Sequence, residues 1–312
     1  MLKTFMLKTL RILTWSLFSL AFILLIAGAY SALAQNVLTG EWKASVEADK
    51  TDKTDKIYLS FERRTGRGDH NQMSSTYDYA QLQGLTREQA LRGGPVRFSL
   101  AREAGTIDCE GSFQNGRGSG TFRFMANQSF VSAMKTRGFD FEESSSTSRN
   151  GHDSEQRLFA ATTLNITTAL ADDLLSANFG KLTVDDLFKA AIFNVDAKFM
   201  REMKASGFPN LGMEELVKAR IFKIDADFVR EVTQMGFDKE SFESLVKMRI
   251  FKVTPEFINE ARNEGLANLS VEDLVKLRIF NIDSDFIRRA KAEGVPLEVE
   301  KLVQKRIGVW GK

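Results

Sequence analysis

The sequence predicts an α+β chain, in which a small antiparallel β module precedes an α-solenoid-like array of short helix–turn–helix repeats. Two observations carry that reading. First, landmarks recur at a 29-residue step: Ile192, Ile221, Ile250 and Ile279, then Phe193, Phe222, Phe251 and Phe280, then Leu187, Leu216, Leu245 and Leu274. Phe199, Phe228, Phe257 and Phe286 keep the same step, as do Gly207, Gly236, Gly265 and Gly294. A fixed period of this size marks stacked supersecondary units, none of which buries its apolar face alone. Second, Ile107, Cys109, Gly111 and Phe113 alternate with Asp108, Glu110 and Ser112. That is the two-residue period of a strand with one buried face.

Each repeat spells out its own helix ends. Ser270, with Asp273 three residues on, caps a first helix whose apolar side is Val271, Leu274, Val275 and Leu277. Asp283 caps a second helix, and Ile282 staples onto Ile287 across that cap. Phe286, Ile287 and Ala290 form its stripe, and Gly294 is the expected left-handed terminus. The preceding unit substitutes Thr254 as cap, with Pro255 at the first helical position, where proline is tolerated. Helices this short are marginal alone, so neighbouring units must supply the stability.

At the N-terminus, Lys3, Lys8 and Arg11 precede an uncharged apolar run from Ile12 that closes in Ala32-Leu33-Ala34. This is the pattern of an export signal over residues 1–34, with cleavage expected before Gln35. The alternative is an inner-membrane anchor over residues 12–34, since the run is long enough to span a bilayer. The expected location is periplasmic or secreted. Without the leader's basic residues the chain carries 40 Lys+Arg against 41 Asp+Glu, so it lacks the basic footprint of a nucleic-acid binder. Its single cysteine, Cys109, sits on the apolar side of its strand and reads as a small buried hydrophobe.

Residues 35–125 are expected to form the β module, with strands at 40–46, 56–61, 96–100, 106–113 and 120–124. Gln114-Asn115-Gly116-Arg117-Gly118 is a Gly-rich hairpin turn. The polar stretch Thr65 to Tyr79 is expected to be a long loop, and Thr86 caps a short helix to Leu91. Residues 126–312 form the repeat domain. Its phase begins early, because Phe130 to Phe139 matches Phe199 to Phe208, and Leu158-Phe159 and Asn165 match Leu187-Phe188 and Asn194. A Ser-rich insertion at about 142–155 interrupts this degenerate unit. The last helix, Leu297 to Arg306, closes the array, with Val309-Trp310 expected over its end.

Candidate chemistry is sparse. The two histidines, His70 and His152, both fall in polar segments, and no metal-ligand motif is present. Ser132-Ala133-Met134-Lys135 has the S-x-x-K spacing of penicillin-recognising enzymes, but Ser244-Leu245-Val246-Lys247 fits equally inside a repeat helix. Arg67-Gly68-Asp69 is a chance-prone adhesion tripeptide. No cofactor or catalytic residue is expected; the nearest enzyme reading rests on Asp108 and Glu110. Lys189, Lys218, Lys247 and Lys276 stand four residues after Asp185, Glu214, Glu243 and Glu272, the favourable order for ion pairs within one helix. The Phe193 column reads as core between repeats. Arg220, Arg249 and Arg278 lack such an obvious partner, which makes them the candidate contacts for a protein partner.

Segments such as Leu245-Val246-Lys247-Met248-Arg249-Ile250-Phe251-Lys252-Val253-Thr254-Pro255-Glu256-Phe257-Ile258 resemble the helical repeats appended to BlaR-type antirepressor metallopeptidases and to related exported bacterial proteins. The resemblance spans roughly Phe130 to Arg306 and implies a bacterial envelope setting with a sensing or interaction role. The peptidase's zinc motif and membrane helices have no counterpart here, so no catalytic residue transfers. The expected function is a non-catalytic interaction or scaffold protein that binds an envelope protein through its repeat surface. The alternative is an extracytoplasmic sensor taking a small ligand in the β module.

Overall fold

The computed structural model describes residues 38–46, 55–64, 70–142 and 153–311. The leader, Arg67-Gly68-Asp69, His152 and most of the Ser-rich insertion lie outside the described residues. The chain forms two compact units. One runs to Gln128 and includes Glu142–Thr163; the other holds Ser129–Phe141 and Leu164–Lys312. The chain therefore crosses between units more than once, and no single cut at 125/126 separates them.

The first unit is a six-stranded sheet, β1 (Leu38–Val46), β2 (Lys56–Arg64), β3 (His70–Asp78), β4 (Gly94–Arg102), β5 (Gly105–Gln114) and β6 (Arg117–Ala126), in the order β3-β2-β1-β6-β5-β4. Every neighbouring pair is antiparallel. The register places Leu38, Trp42, Leu59, Phe61, Phe98, Ile107, Cys109, Phe113, Phe122 and Phe124 on one buried face. Burial also pushes the Cys109 thiol pKa far above its ordinary value. Asn115 and Gly116 both take positive φ, 52° and 71°, which is the two-residue turn that matches strand twist. A helix α1 (Arg87–Arg92) follows Thr86, whose hydroxyl accepts from the Gln89 amide while the Gln89 side chain accepts from the Thr86 amide.

β3 corrects the expected loop at 65–79. Of its inward positions Asn71, Met73, Ser75 and Tyr77, only Met73 and Tyr77 offer apolar bulk, so no alternation shows in the sequence. The strand is held instead by its full ladder to β2 and by a polar cluster on the outer face, where Gln72 and Ser74 reach the Ser60 hydroxyl at 2.9 and 3.1 Å. An edge strand needs no second buried face.

Helix α3 (Asp153–Thr163) packs on this sheet. Its Phe159 stacks parallel to Phe122 at 5.2 Å and meets Phe61 and Phe124 edge-on. Tyr77 donates its hydroxyl to the Thr163 carbonyl, and burial raises the Tyr77 pKa to about 12. The helix read as the first of a degenerate repeat thus belongs to the sheet's core.

The second unit is the helical array: α2 (Gln128–Thr136), α4 (Thr168–Ser176), α5 (Val184–Phe193), α6 (Ala197–Ala205), α7 (Met213–Phe222), α8 (Ala226–Gln234), α9 (Phe242–Ile250), α10 (Pro255–Asn263), α11 (Val271–Ile279), α12 (Ser284–Ala292) and α13 (Val299–Arg306). First helices α5, α7, α9 and α11 alternate with second helices α6, α8, α10 and α12. Thr167, Asp196, Asp225, Thr254 and Asp283 cap the second-type helices α4, α6, α8, α10 and α12, each side chain accepting the amide three residues on. First helices pack side by side from α5 through α13. Leu187, Leu216 and Leu274 are fully buried and Leu245 nearly so, each near the centre of its helix. Val309, expected to cover the end, is 49% exposed.

Each first helix ends in a left-handed residue: φ is 55° at Asn194, 55° at Lys223, 54° at Lys252 and 50° at Asn281, with Asn165 in the same phase at 57°. Asparagine tolerates this region through local hydrogen bonding, whereas lysine is strained there. Lys252→Asn should therefore stabilise the array by roughly 0.5–1 kcal/mol, read from the urea midpoint. A lower midpoint would show that the Lys252 stem packs on its surroundings.

Candidate interaction surface

The three candidate arginines do not form a free donor series. The Arg220 guanidinium lies 3.8 Å from the ring centre of Phe199, Arg249 lies 3.6 Å from Phe228, and Arg278 lies 3.8 Å from Phe257. Each ring belongs to the second helix of the preceding unit and is buried. Arg306 repeats the arrangement over Phe286 at 5.1 Å. Arg249 also donates to the Lys223 carbonyl at 2.9 Å, and Arg306 to the Phe280 carbonyl at 3.0 Å, satisfying acceptors that a helix C-terminus leaves open. Arg220 stands 3.7 Å from Asp196. Burial lowers the Arg278 pKa. The expectation of unpartnered arginines is corrected: this column joins one repeat to the next, and the 21-residue spacing to the phenylalanines is the signal that was available.

The lysine ladder is also paired differently from its expected form. Lys189 pairs with Glu214, Lys218 with Glu243, Lys247 with Glu272 and Lys276 with Glu300. Each acid serves the lysine of the unit before it. These ladder pairs cross between units, and Lys189 also has an acid of its own helix nearby, Asp186 at 3.9 Å. The hydrogen bond to the carboxylate raises the pKa of Lys189, Lys218 and Lys276, which stay cationic. Exposed pairs contribute little to stability singly. Here they leave the face of the first helices charged but self-neutralised.

Beside that ladder lies an apolar ridge. Ile192, Ile221, Ile250, Ile279 and Ile307 are 53, 53, 49, 50 and 55% exposed. Phe193, Phe222, Phe251 and Phe280, expected in the core, are half-buried next to them. Helical phase explains the placement. Ile192 stands three residues after Lys189 and seven after Asp185, so ridge and ladder share one face of α5, and the later first helices repeat this. The isoleucines were legible as landmarks, but their face was not assigned.

Other units vary at exposed positions. The left-handed site reads Asn, Lys, Lys, Asn from Asn194 to Asn281, and Lys198, Asp227, Glu256 and Asp285 change sign. The ridge holds isoleucine throughout. The recurring apolar side chain is thus left about half in solvent at the same place in five successive first helices.

The remaining candidates are engaged elsewhere. Lys135 of the first S-x-x-K match pairs with Asp140 at 2.9 Å, and Lys247 of the second pairs with Glu272, so each amine faces a carboxylate. Glu110 is bound by Arg97 at 2.7 Å. The polar sheet face, with Glu41, Glu62, Asp108, Glu110, Arg97 and Arg123, lines an open concavity of about 1010 Å³. Lys43 holds both oxygens of the buried Glu62 there, at 2.8 and 2.9 Å. A small pocket between Leu38, Phe61, Phe122 and Phe159, edged by Arg63, Asn71 and Gln156, measures only about 20 Å³, about the room of one water. No cluster of three metal-ligating side chains is found among the described residues. No protein-family model matches this chain, and no curated protein matches it either.

Proposed function

We propose that this chain is a non-catalytic interaction module of the bacterial envelope, binding a protein partner through the isoleucine ridge of its repeat array. The observation that carries this is the exposure of isoleucine at the end of five successive first helices, α5 to α13. Large contiguous apolar exposure rimmed by polar groups marks a protein contact. The export-signal pattern and the resemblance of the repeats support the envelope setting. The arginine column, held over the phenylalanines of the preceding units, enters only as scaffold. A small-ligand role for the sheet would rest on the open polar concavity, whose charged groups are in part already paired with one another.

The test is an Ile221→Glu/Ile250→Glu double variant, immobilised and exposed to envelope extract. It should keep the parent's circular dichroism and melting temperature and lose the proteins that the parent retains. Equal retention by both would place the contact elsewhere. Turnover of an envelope substrate by the purified parent would overturn the non-catalytic reading.

A further inference from the structure

We infer that the protein covering the ridge is a second copy of this chain, laid against it antiparallel about a two-fold axis. This rests on reading the ridge as the contact surface and names what occupies it.

Size comes first. Burying one isoleucine side chain removes about 120 Å² of apolar surface from water. Five side chains about half exposed, with the half-buried phenylalanines beside them, leave roughly 400–500 Å² of apolar surface in water. A standard interface takes about 800 Å² from each partner, of which about 57% is apolar. The ridge therefore holds the apolar part of one such interface, and the ladder beside it supplies the polar rim.

Pitch selects the partner. Neighbouring packed helices lie about 8–10 Å apart, and that spacing separates successive isoleucines along the array. A strand presents same-face residues every ~6.7 Å, and a helix every ~10.5 Å at seven-residue spacing. The strand falls out of step within five units, and the helical spacing overshoots the pitch at every step. A second copy has the same pitch whatever its value, so every isoleucine finds an apolar neighbour.

Charge permits the approach. Lys189, Lys218, Lys247 and Lys276 are already neutralised within their own chain, and the whole chain carries a formal charge of only +2. Two copies bring together ladders in which each lysine already carries its own carboxylate, so like-charge repulsion between them is small. Because the described residues hold one such ridge, the contact is the same patch on both partners and closes at a dimer.

Full antiparallel overlap puts Ile250, the middle of the series, next to the two-fold axis. Ile192 then faces Ile307 of the other copy. Sedimentation velocity on the protein as its cells process it should give a dimer at tens of micromolar. The Ile221→Glu/Ile250→Glu variant should sediment as a monomer, with the dimer's dissociation constant raised about 100-fold or more and its melting temperature kept. Mild oxidation should link Ile250→Cys copies to each other and leave Ile192→Cys copies unlinked, the buried Cys109 taking no part. A parent that stays monomeric at 100 μM overturns the inference. So does a double variant that still dimerises, or equal cross-linking at Ile192 and Ile250. If the parent is monomeric and the double variant alone loses envelope partners, the second copy is excluded while the proposed function stands.

Discussion

Replacing Trp42 with alanine is expected to remove about 3–5 kcal/mol of folding stability, enough to unfold a sheet unit of ordinary stability. Trp42 is fully buried in β1, at the middle of the sheet. Its ring meets Phe98 edge-on at 5.1 Å and lies 5.7 Å from Phe113. Its indole N–H donates to the Glu110 carbonyl at 3.2 Å. The ring has room only because Gly111 and Gly120 face each other beneath it. A Cβ at Gly111 would come within 2.7 Å of the ring, and one at Gly120 within 2.0 Å of the Glu110 carbonyl oxygen. Alanine therefore leaves a large void over two residues without side chains, and the strands cannot close it. Near-ultraviolet circular dichroism and urea unfolding measure the effect. A loss below about 1 kcal/mol would show that Phe98 and Phe113 collapse into the space.

Sequence reasoning reached elements whose signals are local and missed those that depend on partners. The caps Thr254, Ser270 and Asp283 were legible because a side chain and an amide three residues away settle each one. The Asn115-Gly116 turn was legible for the same reason. β3 was not, because its stability comes from the ladder to β2 and its own residues carry almost no pattern. Helix α3 kept the phase of the repeat while its Phe159 packs into the aromatic core of the sheet, which no periodicity within the helix reveals. The ladder's cross-unit pairs carry no local signal. Asp185 lies one helical turn from Lys189, whereas Glu214 is 25 residues away and reaches it through the packing of α7 beside α5. The ridge was hidden by its regularity, since a repeating apolar residue is usually core.

The second large effect is expected at Phe257. Phe257→Ala should destabilise the array by about 3–5 kcal/mol, whereas Arg278→Ala should cost only about 1–2 kcal/mol. The ring is 6% exposed, and the guanidinium of the next unit lies flat over it at 3.8 Å. Burial of the arginine lowers its pKa, and the Arg278 Nε has no hydrogen-bond partner. The aromatic face compensates it together with the nearby Glu260 carboxylate, and an interaction of this kind strengthens as water is excluded. Removing the ring loses both its own packing and the platform for Arg278, so the two changes should not add. A double-mutant cycle should return a coupling of about 1–2 kcal/mol. Because neighbouring units supply one another's stability, the loss should also spread along the chain. Hydrogen exchange should rise in α9 to α12 before it rises in α5. Additive single effects, or exchange confined to α10, would mean that the arginine column merely rests on the rings and does not couple the repeats.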